Sequence, residues 1–183
     1  MMLGCNIAAL FNKKVRTMMR GHRDTWRILR RQIGTSRYVW FHAASLGEFE
    51  QGRPLMERLR REHPERKILL TFFSPSGYEV RKNYAGADVI CYLPFDTPFN
   101  AIKFVKMARP EAAYFIKYEF WRNYIDILHR NHVPVYSVSS IFRPGQIFFR
   151  WYGRNYARVL QRMTHLYVQD EASKRLLAGI GVN

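Results

Sequence analysis

From residue 37 onward the chain alternates between short apolar runs and longer amphipathic stretches. Residues 37–43 (RYVWFHA), 67–73 (KILLTFF), 88–93 (DVICYL), 111–116 (EAAYFI), 134–138 (PVYSV) and 165–169 (HLYVQ) read as strands. Helical patterns follow each of them, at 47–62, 76–84, 98–108, 119–131, 145–163 and 171–178. Strands of five to seven residues that are apolar at nearly every position are buried on both faces. Helices between them supply the cover, which is the pattern of a parallel sheet. Right-handed crossovers then predict an α/β, Rossmann-like doubly wound lobe over residues 35–183. Residues 1–34 stand before the alternation as one or two basic helices.

Turn chemistry agrees with the helix starts. Ser45-Leu46-Gly47-Glu48 and Ser76-Gly77-Tyr78-Glu79 fit the S-x-x-E capping box. Thr97 precedes Pro98, and Asp170 precedes the last helix, both as expected of caps. Ligands of such sheets sit outside the carboxyl ends of the strands. Those ends are 42–48, 74–77, 94–96, 117–119 and 139–143, rich in hydroxyls, glycine, carboxylates and cations.

Charge changes the picture at the two flanks. The 183 residues carry 30 Lys+Arg against 14 Asp+Glu, a net charge of +16. Residues 1–34 hold eight Lys/Arg and one acid, and residues 141–163 hold five Arg and no acid. Such segments seek phosphate on nucleic acid, anionic lipid or a phosphorylated substrate. A merely solubilising surface would not interleave Trp26, Ile28, Leu29, Phe148, Phe149, Trp151 and Tyr152 with the arginines. Apolar and aromatic content (48% and 15%) excludes intrinsic disorder despite the charge. Cys5 and Cys91 form no framework and no metal spacing, which fits a reducing compartment. No apolar run reaches the ~18 residues of a membrane span. Residues 1–11 lack the basic-first order of a signal peptide.

Glu48 is the sharpest candidate for chemistry. It falls in the first turn of a helix beside Ser45 and Gly47, where a carboxylate can serve as general base. From spacing alone, closing a capping box is the favoured reading. Glu119 follows the fourth strand at the ligand edge, as a cleft carboxylate or as a cap for the next helix. Ser74-Pro75-Ser76-Gly77 is a small anion-binding turn of low specificity. His42 ends a strand where it could touch a ligand, but a hydrogen-bonded structural histidine is the favoured reading; His129 and His132 lack a third metal ligand. The sequence has no Walker loop, G-x-G-x-x-G, H-E-x-x-H or C-x-x-C, which argues against P-loop, dinucleotide and zinc enzymes. Arg150, Arg154, Arg158 and Arg162 recur every four residues and so share one stripe of the expected 145–163 helix. That stripe reads as a phosphate and acyl-chain cradle or an interfacial helix on anionic lipid.

Taken in order, these segments resemble the bacterial Kdo transferases, which add 3-deoxy-D-manno-octulosonic acid to the lipid A precursor. The run from Trp40 to Glu48 (WFHAASLGE), with Arg53-Pro54-Leu55, resembles the family's opening strand, loop and helix. Thr71 with Ser74-Pro75-Ser76-Gly77 resembles its T-x-T-P-T-G turn, and Tyr92–Pro98 (YLPFDTP) its Y-L-P-Y-D-x-P. Glu119-Phe120-Trp121-Arg122-Asn123 resembles E-L-W-P-N, and Gln169-Asp170-Glu171-Ala172 resembles Q-S-E-x-D. The likeness spans roughly residues 10–183.

The resemblance implies the GT-B fold, with this chain as the amino-terminal, acceptor-binding lobe and the carboxy-terminal, donor-binding lobe absent. It implies CMP-Kdo as donor, inversion at the anomeric centre, and no metal or cofactor. Glu48 would be the general base, taking the proton of the glucosamine 6′-hydroxyl. Ser45, Gly47, Ser74, Ser76, Gly77, Glu119 and Arg143 would line the substrate site. Arg150, Arg154 and Arg158 would meet acceptor phosphates or the anionic membrane. Residues 1–34 would be a membrane-associating segment at the cytoplasmic face of the inner membrane, with residues 1–11 as a shortened anchor. The chain departs from the family pattern at Lys117 (for Glu), Arg122 (for Pro) and Ser139–Arg143 (for N-A-R-L-S). The competing expectations are a GT-B lobe for another acceptor, or a basic module binding nucleic acid or anionic lipid. The absence of a nucleic-acid motif speaks against nucleic acid as the partner.

Overall fold

A computed structural model of the chain describes residues 13–182. Residues 1–11, expected as an anchor remnant, lie outside the described residues. Helix α1 (Lys13–Gln32) is followed by β1 (Tyr38–Ala43), α2 (Leu46–Glu62), β2 (Lys67–Phe72), α3 (Pro75–Arg81) and β3 (Val89–Tyr92). Then come α4 (Pro98–Ala108), β4 (Pro110–Ile116), α5 (Arg122–Arg130) and β5 (Val135–Ser140). Two 3₁₀ turns (Ile147–Phe149 and Trp151–Gly153), α6 (Arg154–Gln161), β6 (His165–Val168) and α7 (Glu171–Ala178) complete the order.

All six strands pair in parallel, in the order β3-β2-β1-β4-β5-β6. The expected α/β, Rossmann-like sheet is therefore present. Its strands alternate between two cores as the pleat requires. Tyr38 and Trp40 of β1 enter one core with residues of α1, α4, α5, α6 and α7. Val39, Phe41 and Ala43 enter the other, with Phe49 and Met56 of α2 and with Tyr78 of α3 against them. The chain steps outward from β1 to β3, crosses over through α4, and restarts at β4 beside β1. The boundary between β1 and β4 is thus the switch point, where a crevice opens outside the carboxyl ends.

Helix α1 packs on this frame. Met19, His22, Thr25 and Leu29 recur at helical spacing and are buried. The Thr25 hydroxyl donates to the Tyr92 carbonyl at 2.8 Å. Arg16, Arg20, Arg23, Arg27, Arg30 and Arg31 occupy the exposed face. No helix among the described residues is long and apolar enough to cross a membrane.

The single helix expected over 145–163 is corrected. Two 3₁₀ turns replace its first half, and Arg150 between them is extended (φ −88°, ψ 146°). A Cβ on buried Gly153 would stand 1.6 Å from the Ile147 carbonyl oxygen, so the glycine lets these turns fold onto each other. The helix expected at 119–131 also begins later, at Arg122.

Candidate active site

The loop after β1 carries Ser45, Gly47 and Glu48. Ser45 is the N-cap of α2, and its backbone N–H donates to Glu48 Oε2 at 2.8 Å. One carboxylate oxygen is therefore fixed by the cap, while Oε1 has no hydrogen-bond partner among the described residues. Capping and chemistry are thus compatible uses of the same side chain. Gly47 is exposed, and a Cβ there would meet open space.

The loop after β2 is tied to this one. The Phe73 and Ser74 amides both donate to the Ala44 carbonyl, at 3.3 and 2.7 Å. Ser74 caps α3, and its hydroxyl lies 3.0 Å from that of Ser76. Gly77 is buried where the loops touch: a Cβ would fall 2.3 Å from the Phe72 ring and 3.1 Å from the Ser45 carbonyl carbon. In an open helix Gly→Ala is worth about 0.5–1 kcal/mol of stability. Here Phe72 is fully buried, so Gly77→Ala is expected to cost about 1–3 kcal/mol instead. A thermal melt decides the sign, and a raised Tm would refute the close packing of the two loops.

On the other side of the switch point, Glu119 follows β4. It does not cap α5, which overturns the capping alternative. That task falls to Asp96 from the loop after β3, which accepts from the Asn123 amide at 3.1 and 3.2 Å. Glu119 Oε2 instead accepts from Trp121 Nε1 at 2.5 Å and lies 3.4 Å from His42 Nε2. The Trp121 ring packs on Phe73 (centroids 4.8 Å apart) and joins the β4 loop to the β2 loop. Lys117 and Ser139, at the ends of β4 and β5, both adopt the left-handed region (φ 62° and 65°). For residues with a Cβ this costs of order 1 kcal/mol each. The Lys117 carbonyl accepts from the Ser140 hydroxyl at 2.6 Å and from Ser137 at 3.4 Å, which holds the bend.

The remaining candidates lie further along the edge. Arg143 is exposed and pairs with Asp170 Oδ2 at 3.0 Å; Asp170 also caps α7 through the Ser173 amide. These hydrogen bonds hold the Asp170 carboxyl down at about 2. Arg150, Arg154 and Arg158 line a cavity of about 470 Å³ together with Phe148, Phe149 and Trp151. Arg162, which the sequence put on the same stripe, turns inward and pairs with Asp126 of α5. Phe120, beside Glu119, stacks on Phe142 and meets Phe148 edge-on, which links this cavity to the β4 loop. A larger cavity, about 560 Å³, lies at the opposite edge of the sheet around Arg37, Arg109 and Pro110. No carboxylate lines it; topology puts ligands at the carboxyl edge, and that edge holds Glu48 and Glu119. Sequence reasoning did not join His42, Thr71 and Trp121 into one cluster with Glu119. The register that sets His42 opposite Thr71 across β1 and β2 was the missing signal.

Residues 16–183 match the family model described as 3-Deoxy-D-manno-octulosonic-acid transferase (kdotransferase). The 3-deoxy-D-manno-octulosonic acid transferase of Aquifex aeolicus is 39% identical over 88 residues, 48% of this chain and 24% of that protein. The transferase of the same name from Haemophilus influenzae is 34% identical over 116 residues, 60% of this chain and 27% of that protein. The chain thus spans about a quarter of the length of these curated relatives. Among solved structures, UDP-GlcNAc 2-epimerase from Neisseria meningitidis, bound to UDP-GlcNAc, superposes with a TM-score of 0.57 at 14% identity. That match covers 80% of this chain and 44% of the epimerase, and it speaks to the fold alone.

Proposed function

Because the chain belongs to the 3-deoxy-D-manno-octulosonic-acid transferase family, we propose that it is the acceptor-binding wall of an inverting Kdo transferase with Glu48 as general base. The observation that carries this reading is the Glu48 carboxylate. Its Oε2 is pinned by the Ser45 amide at the switch-point edge, and its Oε1 is left for a ligand. In the proposed step the glucosamine 6′-hydroxyl of the lipid A precursor attacks the anomeric carbon of CMP-Kdo. Glu48 takes the hydroxyl proton as the new C–O bond forms, and CMP departs with the electrons of the breaking bond. Attack opposite the leaving group inverts that centre. The transfer needs donor and acceptor held together in line. A second lobe, wherever it is encoded, therefore supplies the facing wall and most donor contacts.

Ser45, Gly47, Ser74, Ser76, Gly77 and Glu119 form the acceptor side of this cleft, with Arg143 further along its rim. Their shared edge and the tied β1 and β2 loops support the grouping. The test is transfer from CMP-Kdo to a lipid A precursor by this chain joined to the carboxy-terminal part of the Haemophilus influenzae relative. Product formation with an inverted linkage is expected. Transfer to a different acceptor alone, or none from a folded chimera, would overturn the reading.

The protein works at the cytoplasmic face of the inner membrane in this proposal. The cavity lined by Arg150, Arg154 and Arg158, with exposed Trp151 and Tyr152 beside it, suits phosphate and acyl chain together. The exposed arginines of α1 suit the same anionic surface. Each cation near such a surface adds about 1 kcal/mol, so changing all three arginines to serine should weaken vesicle binding by about 10²-fold. Added salt should weaken the parent as well, without abolishing the apolar part. Sedimentation with vesicles containing phosphatidylglycerol measures both. Unchanged binding by the triple variant would make these arginines a solvated surface.

A further inference from the structure

His42 is fully buried, yet its Nε2 has no hydrogen-bond partner and faces the Glu119 carboxylate at 3.4 Å. Its Nδ1 lies 2.9 Å from the Thr71 hydroxyl, to which Trp40 Nε1 donates at 2.8 Å. The Thr71 hydroxyl has one hydrogen and two lone pairs, and the indole N–H occupies one lone pair. Two arrangements remain. In the first, Thr71 donates to Nδ1, so the neutral ring carries its hydrogen on Nε2. In the second, Nδ1–H donates to Thr71 and Thr71 donates to the Phe41 carbonyl at 3.3 Å. A bare Nε2 would then aim a buried lone pair at carboxylate lone pairs, an unmet and costly contact. The first arrangement therefore puts a hydrogen on Nε2, on the side of Glu119. The shorter Thr71 contact, 2.9 against 3.3 Å, favours the first.

We propose that His42 is the positioning residue of Glu119: set by Thr71, it holds Glu119 Oε2 together with Trp121 and leaves Oε1 to accept a hydroxyl of the sugar acceptor. The functional half of this inference rests on the transferase reading above. The two carboxylates then have separate tasks. Glu48 moves the proton, and Glu119 fixes the orientation of the acceptor ring. Glu119 is suited to this because Trp121 Nε1 donates to its Oε2 and His42 Nε2 lies 3.4 Å from the same oxygen. Its side chain is only 16% exposed, so a hydroxyl bonded to it meets little competing water.

Two measurements test the proposal separately from the reading it rests on. Long-range ¹H–¹⁵N spectra of the histidine-labelled chain report which ring nitrogens of His42 carry hydrogen. Nε2 should be protonated in the parent. Glu119→Gln should move its signal, Thr71→Val should move Nδ1, and Thr71→Ser should leave both nearly unchanged. A ring protonated on Nδ1 alone, or an Nε2 signal indifferent to Glu119→Gln, overturns the pairing. The second measurement is Kdo transfer by the chimera described above. His42→Leu removes the ring nitrogen that faces Glu119, so kcat/KM for the acceptor should fall about 10- to 100-fold. His42→Gln, whose amide nitrogen reaches the Nε2 position, should recover most of that loss. Equal losses in both variants would make His42 a packing residue. A parent chimera that folds but transfers no Kdo would sink the transferase reading, while the spectra would still judge the pair.

Discussion

Glu48→Gln is expected to lower Kdo transfer by about 10²–10⁴-fold and to leave the fold intact. The amide keeps the shape of the side chain and an oxygen that can accept from the Ser45 N–H. The α2 start therefore survives, and stability should fall by less than about 1 kcal/mol. What the amide cannot do is take a proton from an attacking hydroxyl. The loss should appear in kcat, with KM for the acceptor little changed, because the proton moves only in the transition state. Single-turnover transfer by the chimera, beside a denaturation curve for each protein, separates the two effects. A near-normal rate would reduce Glu48 to a cap. A rate lost together with cooperative unfolding would mean that the cap dominates.

The second large effect is on stability. Trp40→Ala is expected to cost about 3–5 kcal/mol, a large fraction of the roughly 5–15 kcal/mol that holds a domain folded. Trp40 is fully buried on the central strand, with its ring against Phe104 (4.9 Å), Phe115 (5.2 Å) and Tyr124 (5.7 Å). Truncation opens a cavity bounded by β4, α4 and α5 at once, and neighbours on three elements cannot collapse into it together. The indole also donates to Thr71, so its loss leaves a buried hydroxyl lone pair unmet beneath His42. Trp40→Phe should cost less, since it refills part of the volume but not the donor. The midpoint of urea unfolding, compared at constant slope, measures each cost. A loss below about 1 kcal/mol for the alanine variant would contradict the packing described.

Much of this architecture was legible because β1, β2 and β3 are buried on both sides. Val39, Trp40 and Phe41 leave no polar position to confuse the period, and helices such as Pro98–Ala108 announce both ends. The arginine stripe misled for a physical reason. A four-residue recurrence is local, whereas the contact between Gly153 and the Ile147 carbonyl that breaks the helix depends on how two turns stack. Glu119 was ambiguous for a similar reason. The cap of its helix comes from Asp96, which is 27 positions before Asn123, and only the folded chain reveals that the post is taken. Of the site, the edge and its carboxylates could be read from topology. The imidazole behind one of them could not, because strand register is set by neighbours and not by spacing.

The loops around the switch point are fastened to one another. The Ala44 carbonyl holds two amides of the β2 loop, Asp96 holds the start of α5, and Trp121 lies on Phe73. Such a rim behaves as a casting more than as a set of fingers. A ligand arriving at this rim would find its contacts already in place and lose little free energy in ordering them. The corollary concerns motion: a casting cannot fold around its cargo. Any shutter that keeps water from the reacting atoms must travel as a separate piece and meet this rim edge to edge, leaving the rim at rest throughout the catalytic cycle.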